Sequence, residues 1–82
     1  MDEADPRVEQ AAAAIRHYLI ERPGASDTAD GIAHWWVRPA TGETDPQVVM
    51  AALALLEERG EIEPRQLGRR FLYLAGPALR GS

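Results

Sequence analysis

Residues 45–63, DPQVVMAALALLEERGEIE, hold the clearest folding signals in this chain of 82 residues. Asp45 can cap a helix, and Pro46 suits the first helical position, where a missing N–H costs nothing. At about 100° per residue, four apolar side chains fall on one face and predict a buried stripe. They are Val49, Ala52, Leu53 and Leu56. Gly60 favours a left-handed helix end. The stretch predicts a helix over residues 45–59 that runs into a strand.

The same Asp-Pro start signal occurs at Asp5 and Pro6, ahead of the stretch EQAAAAIRHYLIER. It predicts a first helix over residues 5–21. Pro23 disfavours helix in the residue before it, and Gly24 then ends the helix. One face carries apolar side chains at helical spacing. These are Val8, Ala12, Ile15 and Leu19.

The stretch SDTADGIAHWWV predicts a short second helix over residues 27–37, capped by Asp27. Residues 38–45, RPATGETD, then read as a loop because they are rich in Pro, Gly and Thr. On this helix Trp35 fits the core face better, and Trp36 is the candidate for a partly exposed binding anchor. The alternative is that both rings belong to the core.

After Gly60 the apolar period changes from helical spacing to alternation. Residues 61–67 and 70–75 predict two strands, with Phe71 and Tyr73 on one side and Leu72 and Leu74 on the other. Residues 68–69, Gly-Arg, suit a two-residue type II′ turn. Pro64 cannot donate to a ladder, so its strand should lie at the sheet edge. We expect residues 1–4 to be disordered and residues 76–82 to form a loose tail.

Three helices followed by a hairpin is the element order of a winged helix-turn-helix domain, and residues 5–75 resemble that superfamily. The resemblance rests on DTADGIAHWW, on QVVMAALALLEERGEIE and on QLGRRF, as second helix, third helix with strand, and wing. It implies a mainly α domain with a small β-hairpin wing. The connection over residues 38–44 is longer than the three or four residues of a standard helix-turn-helix.

The composition limits the classes of function. The net charge is −4, but residues 60–82 hold four arginines and two acidic side chains, so only that end attracts anions. The chain has no cysteine, and therefore no disulfide or thiol chemistry. It has no apolar run long enough for a membrane span, and its acidic start differs from a signal peptide. A cytoplasmic location with no membrane partner is expected.

The outer face of the third helix decides between the possible functions. In a winged helix that binds DNA, this face reads base edges with Arg, Lys, Asn or Gln. Here it is predicted to consist of Gln47, Met50, Ala51, Ala54, Leu55 and Glu58. Only Gln47 suits a base, and no Arg or Lys occurs between Thr44 and Glu58. The small and apolar side chains instead suit contact with a partner protein. The alternative is an alanine-rich helix with no contact role.

Two other surfaces remain candidates for contact. Arg65, Arg69 and Arg70 on the wing either touch an acidic partner or phosphates, or keep an edge strand soluble. Gln10, Ala13, Ala14 and His17 form a small-residue face on the first helix that suits a homo-oligomer. The alternative function is a dimeric DNA-binding transcriptional regulator, acting through helix 3 and the arginines of the wing.

Catalysis and cofactor binding have little support in the sequence. His17 and His34 stand apart from further ligand residues, whereas a zinc site needs three or four. No serine lies in a nucleophile elbow, and no Gly-rich phosphate loop occurs. Asp27 and Asp30 are better explained as helix-capping groups than as a catalytic pair. We therefore expect a non-enzymatic domain that takes no cofactor or metal.

Overall fold

The computed structural model describes residues 5–80, and the regions at 1–4 and 81–82 lie outside it. Helix α1 spans Pro6–Glu21 and begins as predicted. Asp5 caps it by accepting the backbone N–H of Arg7 at 2.9 Å. The side chain of Arg7 also binds this carboxylate and lowers the pKa of Asp5. The helix ends at Arg22, immediately before Pro23, which confirms the predicted stop.

The second helical segment, α2, covers residues 29–41 and differs from the prediction at both ends. It joins an α-turn at Ala29–Gly31, a π-helix at Ile32–Val37 and a final α-turn at Arg38–Thr41. Its cap is Thr28, whose Oγ1 accepts the N–H of Gly31 at 3.1 Å. The predicted cap, Asp27, lies in a strand instead.

The predicted loop over residues 38–45 is confirmed only for residues 42–45, because the helix continues through Pro39 to Thr41. A proline inside an α-helix removes one i→i−4 hydrogen bond and crowds the carbonyl four residues back. Pro39 follows a π-helix, whose hydrogen bonds join residues five apart, so the α-helical pattern is already interrupted there. Gly42 ends the segment with a φ of 79°. The connection to the next helix is thus only residues 42–45.

Helix α3 spans Pro46–Glu58, as the opening stretch predicts. Asp45 caps it by accepting the N–H of Gln47 at 2.9 Å. At the end of the helix Gly60 has a φ of 73°. The N–H of Gly60 donates to the carbonyl of Glu57, and the N–H of Glu61 donates to the carbonyl of Leu56. This pair of bonds is a Schellman motif, which requires the left-handed residue that glycine supplies.

Three strands form an antiparallel sheet: β1 at Ser26–Asp27, β2 at Ile62–Leu67 and β3 at Arg70–Ala75. Their order in the sheet is β1-β3-β2. The hairpin of β2, Ile62–Leu67, and β3, Arg70–Ala75, confirms the predicted strands. Gly68 has a φ of 63°, as the first central residue of a type II′ turn requires. In the described chain only glycines have a positive φ, so the second turn residue, Arg69, does not. Strand β2 lies at the edge, which accommodates Pro64. The sequence analysis missed β1, the two-residue strand Ser26–Asp27 that pairs with β3.

Residues 77–80 correct the prediction of a loose tail, because they form a short helix, α4, at Pro77–Arg80. The N–H of Gly76 bonds to the carbonyl of Glu61 at 2.9 Å, and that of Ala78 to the carbonyl of Gly60, also at 2.9 Å. A side chain at Gly76 would overlap the backbone of Gly60. The predictions for residues 1–4 and 81–82 lie outside the described residues.

The helices cover one face of the sheet and enclose a single apolar core. The five residues predicted to be its centre are all buried: Ile15, Leu19, Ile32, Leu53 and Leu56. Ile62 and Ala75 bring β2 and β3 into the same cluster. The architecture is therefore a mainly helical domain with a small antiparallel sheet. Within residues 5–80 no helix has both the length and the apolar character to cross a bilayer.

Truncating the centre of this core should destabilise the domain strongly. We expect Leu53→Ala to lower the free energy of unfolding by about 2–5 kcal/mol, from lost burial plus a cavity. The matched control on the same helix is Met50→Ala, whose side chain is 49% exposed and whose effect should stay within about 0.5 kcal/mol. Urea unfolding followed by circular dichroism measures both. Equal effects of the two substitutions would contradict the assigned face.

Candidate functional site

The outer row of α3 consists of Gln47, Ala51, Ala54 and Glu58, and all four residues are exposed. The opposite side of the helix is buried through Val49, Ala52, Leu53 and Leu56, as predicted, and also through Val48. Leu55 differs from the prediction because it is partly buried and packs against the core. The exposed surface of α3 is therefore narrower than expected and contains mainly alanine.

Met50 extends this surface toward α2. Its side chain, together with Val49 and Pro46, lines a small cleft against α2. The α2 side of the cleft is formed by Ala29, Asp30 and Ala33. These α2 residues were not predicted from the sequence, because the helical period of α3 does not show which residues of a neighbouring helix lie against it. The methionine is thus a flexible apolar side chain at the junction of the two helices.

The acidic side chains near the start of α3 have structural roles. Oε2 of Glu43 accepts the backbone N–H groups of Thr44 and Asp45 at 3.1 and 3.0 Å. Asp45 caps the helix and lies 4.0 Å from a guanidinium nitrogen of Arg7. At the other end Glu57 and Glu58 are exposed. Acidic groups therefore flank the outer row at both ends and make it unsuitable for a phosphate backbone.

The two tryptophans occupy the reverse of their predicted positions. Trp36 is only 4% exposed and stacks on Tyr18, with ring centroids 4.3 Å apart, so it is not the exposed anchor. Trp35 is 64% exposed and meets His34 edge to face. The π-helix explains the exchange, because its wider turn places residues four and five positions on, Trp36 and Val37, over the buried Ile32.

The other predicted contact residues lie on separate elements, and all of them are exposed except Ala14, which is partly buried. Arg65, Arg69 and Arg70 are all exposed on the hairpin, and Arg65 lies 3.5 Å from Glu63. On α1, four residues line a shallow groove completed by Ala40 and Thr41 from α2. They are Gln10, Ala13, Ala14 and His17. His17 also approaches Glu21 at 3.3 Å. Within residues 5–80 no three His, Asp or Glu side chains are grouped as metal ligands.

Comparison of the chain with protein-family models, curated proteins and solved structures found no significant match.

The tryptophan assignment predicts a clear spectroscopic difference. Trp35→Phe leaves only Trp36, which should emit at short wavelength and be poorly quenched by acrylamide, because it is buried. Trp36→Phe leaves only Trp35, which should emit near the wavelength of free tryptophan and be quenched efficiently. Identical emission and quenching in the two folded variants would contradict the π-helical register of α2.

Proposed function

We propose that this chain is a non-enzymatic winged-helix module that binds another protein, as a small adaptor, regulator or assembly subunit. The element order supports the winged-helix assignment, since three helical segments precede a hairpin. The four-residue connection 42–45 also has the length of a helix-turn-helix turn. The connection predicted from the sequence between the second and third helices, residues 38–44, is longer than such a turn, whereas the observed connection is not.

The observation that carries the proposal is the composition of the outer row of α3. Ala51 and Ala54 are exposed and small, so a partner backbone can approach the helix closely. Met50 adds apolar area beside them, and neither Arg nor Lys is present to bind a phosphate. Burying apolar area stabilises a contact by about 25 cal/mol per Å². The partner therefore presents an apolar helix or patch to this row.

The row alone is too small for a stable interface, which buries about 800 Å² on each partner. Exposed residues on neighbouring elements must add to it. Trp35, on the adjacent segment α2, replaces Trp36 as the aromatic anchor, because large exposed aromatics dominate interface energies. Arg38 on α2 and Glu43 in the connection to α3 line the same pocket and supply a polar rim.

Ala51→Arg and Ala54→Arg should abolish partner capture while leaving the domain folded. Both positions face solvent, so arginine is tolerated by the fold, but it places bulk and charge at the centre of the contact. The tagged domain is used to capture partners from a lysate of its source organism, followed by mass spectrometry. Circular dichroism checks the fold of each variant.

The matched control for these two variants is Ala13→Arg, the same substitution at an exposed alanine of α1. It should retain the partners of the wild type. If Ala13→Arg loses them and both α3 variants keep them, α1 is the contact face and α3 is not. Sedimentation of the three variants separates a change of homo-oligomeric state from the loss of a different protein.

DNA binding, the alternative function, should be weak. Random-sequence duplex at about 50 mM salt should show no micromolar binding, because acidic groups flank α3 and the net charge is −4. Fluorescence anisotropy with labelled duplex measures this. Micromolar affinity that falls steeply with salt, and that is lost on replacing Arg65, Arg69 and Arg70, would favour the transcriptional regulator instead.

A further inference from the structure

The face of the sheet that points away from the helices carries a second patterned surface. Side chains alternate between the two faces of a strand, and directly paired residues share a face. Ile62 and Ala75 are paired and both are buried, so their face is the core face. The opposite face therefore carries three other cross-strand pairs. They are Glu63 with Leu74, Arg65 with Leu72, and Leu67 with Arg70.

Three leucines on this outer sheet face lie outside the core. Leu67 is 56% exposed, and Leu72 and Leu74 are partly buried. None of the three belongs to the core or to the apolar residues packed against it in the described chain. By contrast Tyr73, between two of them in sequence, does pack against the core. The sheet thus has one face that packs against the core and one face whose leucines lie outside the core.

Arginines alternate with these leucines. Arg65 is opposite Leu72, and Arg70 is opposite Leu67, so each guanidinium stands beside a leucine on the neighbouring strand. Paired side chains on one face of a sheet lie about 5 Å apart at Cβ. The two pairs are adjacent along the hairpin, which makes a two-by-two array of cations and apolar groups. Such an array fits a segment that alternates carboxylates with apolar side chains.

The positive charges on this face are only partly neutralised by the domain itself. Glu63 is the one carboxylate among the three pairs, and it is shared between Arg65 at 3.5 Å and Arg80 at 3.4 Å. Within residues 5–80 no carboxylate lies within ion-pair distance of Arg70. The outer sheet face is therefore positive, although the chain as a whole has a net charge of −4. Charge complementarity selects an acidic occupant.

We propose that the outer sheet face, formed by Arg65, Leu67, Arg70 and Leu72 with Leu74 at its inner end, binds an acidic amphipathic peptide segment of a partner protein. Guanidinium groups match carboxylates in bidentate geometry, and the leucines take the apolar side chains of the segment. The surface is separate from the outer row of α3, so the inference does not depend on the function proposed for α3.

The pattern favours a peptide over two other anionic partners. An anionic bilayer or a nucleic acid presents negative charge over a wide area and would repel the acidic remainder of the domain. A peptide contacts only the positive face. Single-stranded nucleic acid also binds through stacking on aromatic rings, whereas the apolar side chains of this face are leucines.

An unbiased selection tests this inference. The probe is a displayed library of random peptides of about 16 residues, which span about 24 Å as a helix. Peptides that bind the wild-type domain are selected first. Those that also bind the double variant Arg65→Gln/Arg70→Gln are then removed, because they do not need the two arginines. Enriched peptides should be acidic and should contain spaced apolar residues. Peptides without net negative charge, or no difference between the two selections, would overturn the proposal.

Affinity measurements on a selected peptide locate its site. The double variant should bind it about fivefold more weakly or worse, as expected for the loss of two exposed ion pairs. Leu67→Gln, at an exposed position, should also weaken binding. The matched control is Arg22→Gln/Arg59→Gln, two exposed arginines at the ends of α1 and α3, which makes the same change in net charge away from this face and should bind within about twofold of the wild type at physiological salt. Equal losses in the two double variants would contradict a specific site.

Further controls separate this surface from α3 and from other anions. Ala51→Arg should bind the selected peptide as the wild type does, and a loss there would assign the peptide to α3 instead. Vesicles containing phosphatidylserine and random duplex DNA are measured beside the peptide. Tighter binding to either of them than to the best peptide would replace the proposed partner class.

Discussion

The burial of one face of α3 is the constraint on which the rest of the structure depends. A helix in a small domain can bury a single stripe, and here the stripe centred on Leu53 faces the core. Helix α1 contributes Ile15 and Leu19 to the same core, and Ile32 enters it from α2. Once this stripe is fixed, the outer row from Gln47 to Glu58 must face solvent. The surface proposed to meet a partner is therefore set by the same residues that stabilise the fold.

The end of α3 transmits this arrangement to the sheet. Gly60 ends the helix in a Schellman motif, so the chain reverses directly into β2. The carbonyls of Gly60 and Glu61 then accept hydrogen bonds from Ala78 and Gly76, which ties the C-terminal helix to the same corner. Because the helices cover only one side of β2 and β3, the other side keeps its leucines and arginines open to solvent. The domain thus has two exposed surfaces of different charge, and each of them is proposed as a contact surface.

The sequence predicted those parts of the fold that have strong local signals. The Asp-Pro starts of α1 and α3, the left-handed end at Gly60 and the hairpin turn at Gly68 each depend on one residue type with a known backbone preference. Strand β1 was missed because two residues are too few for an alternating pattern. The helix at Pro77–Arg80 was missed because its start is held by tertiary hydrogen bonds, from Gly76 to Glu61 and from Ala78 to Gly60, which no local pattern indicates.

The predicted site was affected by a single local deviation. At 100° per residue, the face set by Thr28 and Ile32 lies between the two tryptophans and only slightly nearer Trp35, whereas in the π-helix Trp36 is buried and Trp35 is exposed. No residue in that segment signals a π-turn, so spacing alone could not show it. The outer row of α3 was predicted well, apart from Leu55, because α3 is a regular helix. The exposed row was therefore predictable because α3 is a regular helix, whereas the irregular geometry of α2 determines which tryptophan is exposed.

The outer row of α3 is proposed to contact another protein, and site-specific photo-crosslinking in the source organism can detect that contact at single residues. A photoreactive amino acid is placed at Gln47, on the outer row, or at Gln10, on the face of α1, since both glutamines are exposed. If the outer row is the contact face, a discrete protein adduct forms from position 47 and does not form from position 10. An adduct with nucleic acid at position 47, or protein adducts from position 10 alone, would contradict it.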